Sequence, residues 1–220
     1  MNVSEAVASR RSIRAFLDRP VPLDVLRRVL DKAQMAPSGC NLQPWEATVL
    51  TGAPLAELSA RMAGAEFQAE AEYPIVPAGM IDPWKRRYGA ITGARLAAEG
   101  IARDDVAARE ASAARNYAFF GAPVGLVCYL RREMGAAQWS DMGMWLQTIM
   151  LLLREEGLDS CALESLSRHA RLIKQFLGVS DETHIFFCGM AIGWRDPDAP
   201  INRFERTRDP LDEAIRFAGF

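Results

Sequence analysis

The chain has 220 residues, 26 of them Lys or Arg against 28 Asp or Glu, with half of all residues hydrophobic and a quarter charged. A formal net charge of −2 gives no general attraction to nucleic acid, so any anion site must be local. The composition is that of an ordinary globular protein, and one domain over residues 1–220 is expected, since no internal repeat or low-complexity linker divides the chain.

The opening stretch, MNVSEAVASRRS, has no apolar run before a small-residue cleavage site, so it does not read as a secretory signal and a cytoplasmic protein is expected. Residues 3–10 read as a first helix running into ASRRSIRAF, where Arg10, Arg11 and Arg14 surround Ser12. Taken alone, that cluster is either a solvated helix end or an anion site. After Pro22, the positions Val25, Leu26, Val29, Leu30 and Ala33 recur at helical spacing. The loop that follows holds Pro37, Ser38, Gly39, Cys40 and Asn41. It is either a plain helix-to-strand connection or a presenter of backbone amides to something that comes close.

WEATVLTG reads as a strand ended by Gly52, and a helix from about Pro54 to Glu70 is expected next. Residues 71–90 carry Pro74, Pro77 and Pro83 with large aromatics between them, a spacing that predicts an irregular lid because it forbids a long helix. Polar residues 100–115 give way to GAPVGLVCYL, a buried strand, and then to QWSDMGMWLQTIMLLLREEG, apolar nearly all round. Asp141, Gln147 and Thr148 interrupt that run, and its apolar stretch falls short of the ~20 residues a bilayer needs. A core helix or a subunit interface is the expectation. GLDSCALESL reads as a short strand and turn, RLIKQFLGV as a helix ending at Gly178, and HIFFCGMAIGW as a buried strand; the proline- and arginine-rich tail is expected to end in a strand-like or helical piece.

No GxxxxGK[ST], GxGxxG or GxSxG is present, and the GxxxG of GMAIG carries no message inside a strand. The four cysteines lack a CxxC pair, and only His169 and His184 are available to complete a ligand set, which argues against a metal site. Cys128 and Cys188 lie in apolar runs as small hydrophobes, and the two histidines read as surface or satisfied core residues.

Four segments remain: RRSIR at 10–14, APSGCNLQPW at 36–45, GLDSCALES at 157–165 and DPDAPINRFERTRDPLDE at 196–213. In order and spacing, over nearly the whole chain, they resemble the FMN-dependent nitroreductase family. The resemblance implies an α+β fold, with a central, mostly antiparallel sheet flanked by helices, and an intertwined homodimer with shared active sites. It implies FMN as cofactor, NADH or NADPH as electron donor, and ping-pong reduction of a small aromatic acceptor such as a nitroaromatic or quinone. Reductive dehalogenation, enone reduction and a non-catalytic flavin module are the alternatives on the same fold.

By that resemblance the anion of the arginine cluster is the FMN phosphate. Arg10, Arg11, Ser12 and Arg14 match the first flavin segment of the family, Arg206 and Arg208 the last, and guanidinium forks suit phosphate. Pro37, Ser38, Gly39 and Asn41 match a loop supplied by the other subunit. Leu163 and Glu164 match the segment beside the flavin N5, where this chain departs from the family pattern with Ala162 for proline and Ser165 for glycine. No catalytic side chain is implied, because the cofactor carries the chemistry. Cys40, Trp84, Arg87 and Tyr88 are candidates for the acceptor, with Tyr73 and Arg86 adding aromatic surface and charge suited to a carboxylated ring. The alternative is that the aromatics pack the lid to the body and the arginines are solvated; for Cys40, the choice is between a reactive thiol and a packing role.

Overall fold

A computed structural model describes all 220 residues. Four strands, β1 (Glu46–Thr51), β2 (Val124–Arg131), β3 (Asp159–Leu163) and β4 (His184–Gly193), make one antiparallel sheet in the order β1-β2-β4-β3. Seven helices surround it: α1 (Val3–Ser9), α2 (Leu23–Ala33), α3 (Gly52–Ala63), α4 (Trp84–Ala98), α5 (Val106–Ala114), α6 (Ala136–Glu155) and α7 (Ala170–Leu177). None is long and apolar enough to cross a membrane.

Both faces of the sheet are covered, which is why β2 and β4 read as continuous apolar runs rather than as alternating ones. Val124, Leu126, Cys128 and Leu130 of β2 pack with α2 and α6, whereas Val127 faces the core built with α3 and α7. The period-two alternation persists inside the apolar run. On β4 it is broken once, where Cys128 pairs with Cys188 but Tyr129 pairs with Phe186. Phe187 is thus the extra residue of a bulge, and its carbonyl turns out to accept the Tyr73 hydroxyl.

α6 buries Met142, Trp145, Leu146, Ile149 and Leu153, while Ser140, Gly143 and Met144 on another face stay exposed. α7 stops at Gly178, whose φ of 69° is the left-handed C-terminal conformation open to glycine.

Three expectations are corrected. α3 ends at Ala63 rather than near Glu70, because its buried stripe of Leu55, Leu58 and Met62 runs out and Gly64 caps it. The irregular stretch ends at Pro83: with no proline after it, α4 starts at Trp84, so residues 84–90 are helical. The tail forms only 3₁₀ turns at Pro200–Asn202 and Leu211–Glu213 before irregular chain, and Leu211, Ile215, Phe217 and Phe220 are exposed, with no surface of their own chain to cover them. One helix went unpredicted, α5, whose start is set by Asp105 accepting from the Ala108 amide at 2.9 Å.

Candidate cofactor site

The arginine cluster is placed by the backbone between two fixed lines. Asn2 and Glu5 form a reciprocal capping box at the start of α1, and the chain leaves the helix at Arg10 in extended conformation. It then runs beside β3 and the end of β4. The Ile13 amide donates to the Ser160 carbonyl at 3.0 Å and the Leu17 amide to the Trp194 carbonyl at 2.9 Å. Alternation sends Ile13 into the core, fully buried, and leaves Ser12 and Arg14 on the opposite side.

The two glycines of GMAIG explain how neighbouring segments come this close. A Cβ on Gly193 would meet Pro123 at 2.6 Å and the Phe16 ring at 3.1 Å, and a Cβ on Gly189 would meet Leu166 at 2.5 Å. Both glycines therefore admit the chain that adjoins two matched segments, Phe16 just after 10–14 and Leu166 just after 157–165.

The tail closes the other side. Buried Asn202 accepts from the Arg14 amide at 2.9 Å and donates to the carbonyls of Ala15 and Asp196 at 2.8 and 2.9 Å. Arg206 donates to the carbonyls of Ala8, at 2.8 Å, and Arg10, and Arg11 donates to the Phe204 carbonyl. From outside, Arg115 donates to the Arg14 carbonyl at 2.6 Å and is itself held by Glu99 at 3.2 Å, which accepts the Ser112 hydroxyl at 2.7 Å.

The result is a pocket of about 150 Å³ lined by Arg10, Arg11, Ser12, Arg14, Arg206 and Arg208, with Ile91, Ile201 and Phe204 as its apolar wall. All six polar residues expected of an anion site from the first and last motifs are brought together. Their polar contacts run to backbone carbonyls, and none of the five guanidiniums is paired with a carboxylate. Other arginines close to the site are paired, as Arg195 is with buried Asp159 at 2.6 Å and Arg115 with Glu99 at 3.2 Å. Burial, then Arg208, holds the Arg10 guanidinium below its ordinary value; burial, then Arg10, Arg208 and Arg11, does the same to Arg206. Uncompensated positive charge in a concave site is a demand for an anion, and its size suits a phosphate group. Beneath it, the Cys161 thiol is pushed up by burial against the opposing pull of Arg14, the Ser12 hydroxyl and Arg10.

The remaining predicted residues lie elsewhere. Leu163 is buried and Glu164 exposed on the strand and turn beyond Ser160, outside the pocket lining. The loop with Pro37, Ser38, Gly39, Cys40 and Asn41 is docked on the other end of α6, where the Gly39 amide donates to both oxygens of buried Asp141 at 3.2 Å. Cys40, Asn41 and Gln43 hold φ values of 52°, 57° and 48°, an unusual density of left-handed non-glycine residues. At the opposite end of α6, Arg154 contacts Ser9 at 3.3 Å, next to the arginine cluster. Thirteen residues of helix separate Asp141 from Arg154, about 20 Å at 1.5 Å per residue. Within one chain the loop and the arginine pocket do not meet.

The lid residues divide. Tyr73 belongs to the body: its hydroxyl bonds the Phe187 carbonyl, its ring meets Trp139 edge-on at 5.2 Å, and burial pushes its phenol up. Beside it, Glu72 meets buried Lys174 at 3.0 Å. Trp84 and Tyr88 are 56% and 51% exposed, so neither packs the lid onto the body. Arg86 and Arg87 are not simply solvated, since both reach Asp209 of the tail, at 3.0 and 2.7 Å. Arg86, Arg87 and Tyr88 line a second cleft of about 490 Å³, which shares Ile91 and Arg208 with the arginine pocket. His169 is a core residue, tilted against Phe67 and edge-on to Tyr117 with both ring centroids 5.1 Å away.

Asn202, Ile91, Phe204 and Asp209 shape these two cavities without having been singled out. Only Asn202 carried a signal, as an asparagine between an isoleucine and an arginine inside a matched motif.

The sequence profile described as "Nitroreductase family" matches residues 7–194. The chain is 36% identical to a 4-nitrobenzoate reductase of Pseudomonas putida over 216 residues, 97% of this chain and 94% of the relative. Among solved structures, the FMN- and NADPH-dependent nitroreductase NfnB of sphigopyxis sp. strain HMH superposes with a TM-score of 0.95 at 47% identity, covering 100% of both chains. The FMN-dependent NfnB of Mycobacterium smegmatis, solved in complex with NADPH, superposes with a TM-score of 0.91 at 28% identity, over 98% of this chain and 97% of that one.

Proposed function

The chain belongs to the nitroreductase family, and from that premise we propose that it is an FMN-dependent oxidoreductase that uses NAD(P)H to reduce nitroaromatic or quinone-type acceptors. The observation that carries the reading is the pocket of five guanidiniums and one serine hydroxyl with no carboxylate among them. Arg10, Arg206 and Arg208 would hold the FMN phosphate through charge-assisted hydrogen bonds, and Arg14, the Ser12 hydroxyl and Arg11 would extend the positive wall along the cofactor. FMN, when bound, supplies the transfer of two reducing equivalents from NAD(P)H to the acceptor.

The chain's own residues then bind and orient. A guanidinium near the pyrimidine edge favours negative charge developing there. The backbone at Leu163 and Glu164 would border the ring, and Trp84 and Tyr88, half-exposed at the start of α4, would wall the acceptor together with Cys40 of a second copy. No general base is required of any side chain.

We also infer that two copies complete each site. The Pro37–Asn41 loop is about 20 Å from the arginine pocket of its own chain along α6, so a second copy must supply it. The open face of α6 with Ser140, Gly143 and Met144, and the uncovered tail with Leu211, Ile215 and Phe217, give that copy its surface.

The test is direct. The purified protein should carry FMN, anaerobic NADPH or NADH should bleach its visible absorbance, and a nitroaromatic such as 4-nitrobenzoate should restore it. A colourless protein that fails to bind added FMN would overturn the reading.

A further inference from the structure

We propose that the cleft lined by Arg86 and Arg87, which adjoins the arginine pocket at Arg208, is a phosphomonoester site, which takes the adenosine 2′-phosphate of NADPH and so sets the preference for NADPH over NADH. The inference rests on the reading above and names a part of the donor's site. Three observations carry it.

The first is the charge at the start of α4. Lys85, Arg86 and Arg87 follow one another in its first turn, which contains no acidic residue. The positive end of a helix dipole disfavours cations there, so three in a row oppose local stability. Asp82, just outside the helix, accepts the Arg86 amide at 3.2 Å and offsets only part of this.

The second is the unspent donor capacity. Arg86 Nη2 and Arg87 Nε converge on one oxygen of Asp209, at 3.0 and 2.7 Å, and Glu213 stands farther from Arg86, at 3.8 Å. A guanidinium has five N–H groups, so most of those on both side chains remain free for a ligand. Asp209 holds the two forks together within the cleft lining, and a phosphate of about −1.5 to −2 charge attracts the pair more strongly than a single carboxylate does.

The third is place and shape. The cleft, about 490 Å³, also presents Tyr88, Ala90, Ile91, Pro210 and Ala214, an apolar wall with one half-exposed aromatic ring on which a purine can lie. It joins the arginine pocket through Ile91 and Arg208, and neither Leu163 nor Glu164 lines it. An acceptor's carboxylate sits within one ring of the group being reduced. A dinucleotide, by contrast, can place its nicotinamide at the flavin and its adenosine well away from it.

The experiment compares adenosine 2′,5′-bisphosphate with AMP by titration calorimetry on the FMN-loaded protein, and NADPH with NADH by steady-state kinetics. The bisphosphate should bind at least about tenfold more tightly than AMP. Arg86→Ala with Arg87→Ala should abolish that difference and lower the NADPH-to-NADH ratio of kcat/KM about tenfold, with FMN content unchanged. Asp209→Asn, which removes the competing carboxylate, should tighten the bisphosphate about threefold or more. The proposal falls if the double variant loses NADPH and NADH alike, if Asp209→Asn weakens the bisphosphate, or if only the KM for a carboxylated acceptor rises. A protein without FMN would refute the cofactor reading instead, while calorimetry with the two adenosine phosphates would still judge this cleft.

Discussion

Arg10 and Arg208 line the same arginine pocket with no acidic partner, and each depresses the protonation of a neighbouring guanidinium. Replacing both with alanine removes two charge-assisted contacts to a bound phosphate, each worth about 1.5 to 3 kcal/mol. The sum, about 3 to 6 kcal/mol, raises the Kd for FMN by roughly 10² to 10⁴. The effect on the empty protein has the opposite sign. Arginine carries its charge at neutral pH, and the Arg208 charge, after burial, is what holds the Arg10 guanidinium below its ordinary value, so removing the two side chains relieves a repulsion that the empty protein carries. The only side-chain hydrogen bond found for Arg208 runs to the carbonyl of adjacent Thr207, so little fold is lost with it. FMN-stripped wild-type and variant proteins should be unfolded in urea, and FMN affinity measured by quenching of flavin fluorescence. Stability equal to or above wild type, with affinity lower by two orders of magnitude or more, is the expected result. Wild-type affinity, or an apo variant clearly less stable, would refute the reasoning.

Asp141→Ala removes the only acceptor found for the Gly39 amide beneath a loop with three left-handed non-glycine residues. It should cost about 1.5 to 3 kcal/mol in denaturant unfolding and sharply reduce turnover while leaving phosphate binding in the arginine pocket intact. Lys174→Met should destabilise by about 3 kcal/mol, the low end for breaking a buried pair, because Glu72 keeps Arg132 at 2.8 Å. Lys174 also holds the Asp181 carboxyl below its ordinary 3.8. That depressed pKa stabilises the fold above the unfolded value and is lost as pH falls through the lower folded one, so the wild-type loss of stability below about pH 4 should shrink in Lys174→Met.

The sheet was legible because runs such as VGLVCYL and HIFFCGM are short, rich in β-branched or aromatic residues and bounded by glycine, proline or polar turns, which together favour a strand over a buried helix. The start of α4 was obscured by Pro74, Pro77 and Pro83, whose density masks a helix that begins as soon as they end. α5 was missed because its alanine-rich sequence has little amphipathic contrast, and only the Asp105 cap marks its start. The arginine pocket was legible from two motifs almost two hundred residues apart, yet what joins them, Asn202 bonding three backbone groups, is a tertiary fact without a local pattern. The same holds for the lid arginines. Their charge was visible, but their partner Asp209 lies over a hundred residues away.

The central claim is that one chain's arginines and another chain's loop build each site. Arg10→Ala with Arg206→Ala in one chain and Gly39→Trp in the other should each give an inactive homodimer. Co-expression with two affinity tags and sequential purification isolates the mixed dimer, in which two-fold symmetry gives one site both defects and the other neither. That dimer should regain about half of wild-type turnover per dimer. A mixed dimer as inactive as its parents, beside tagged wild-type controls that retain activity, would place both segments in one chain's site and contradict the account.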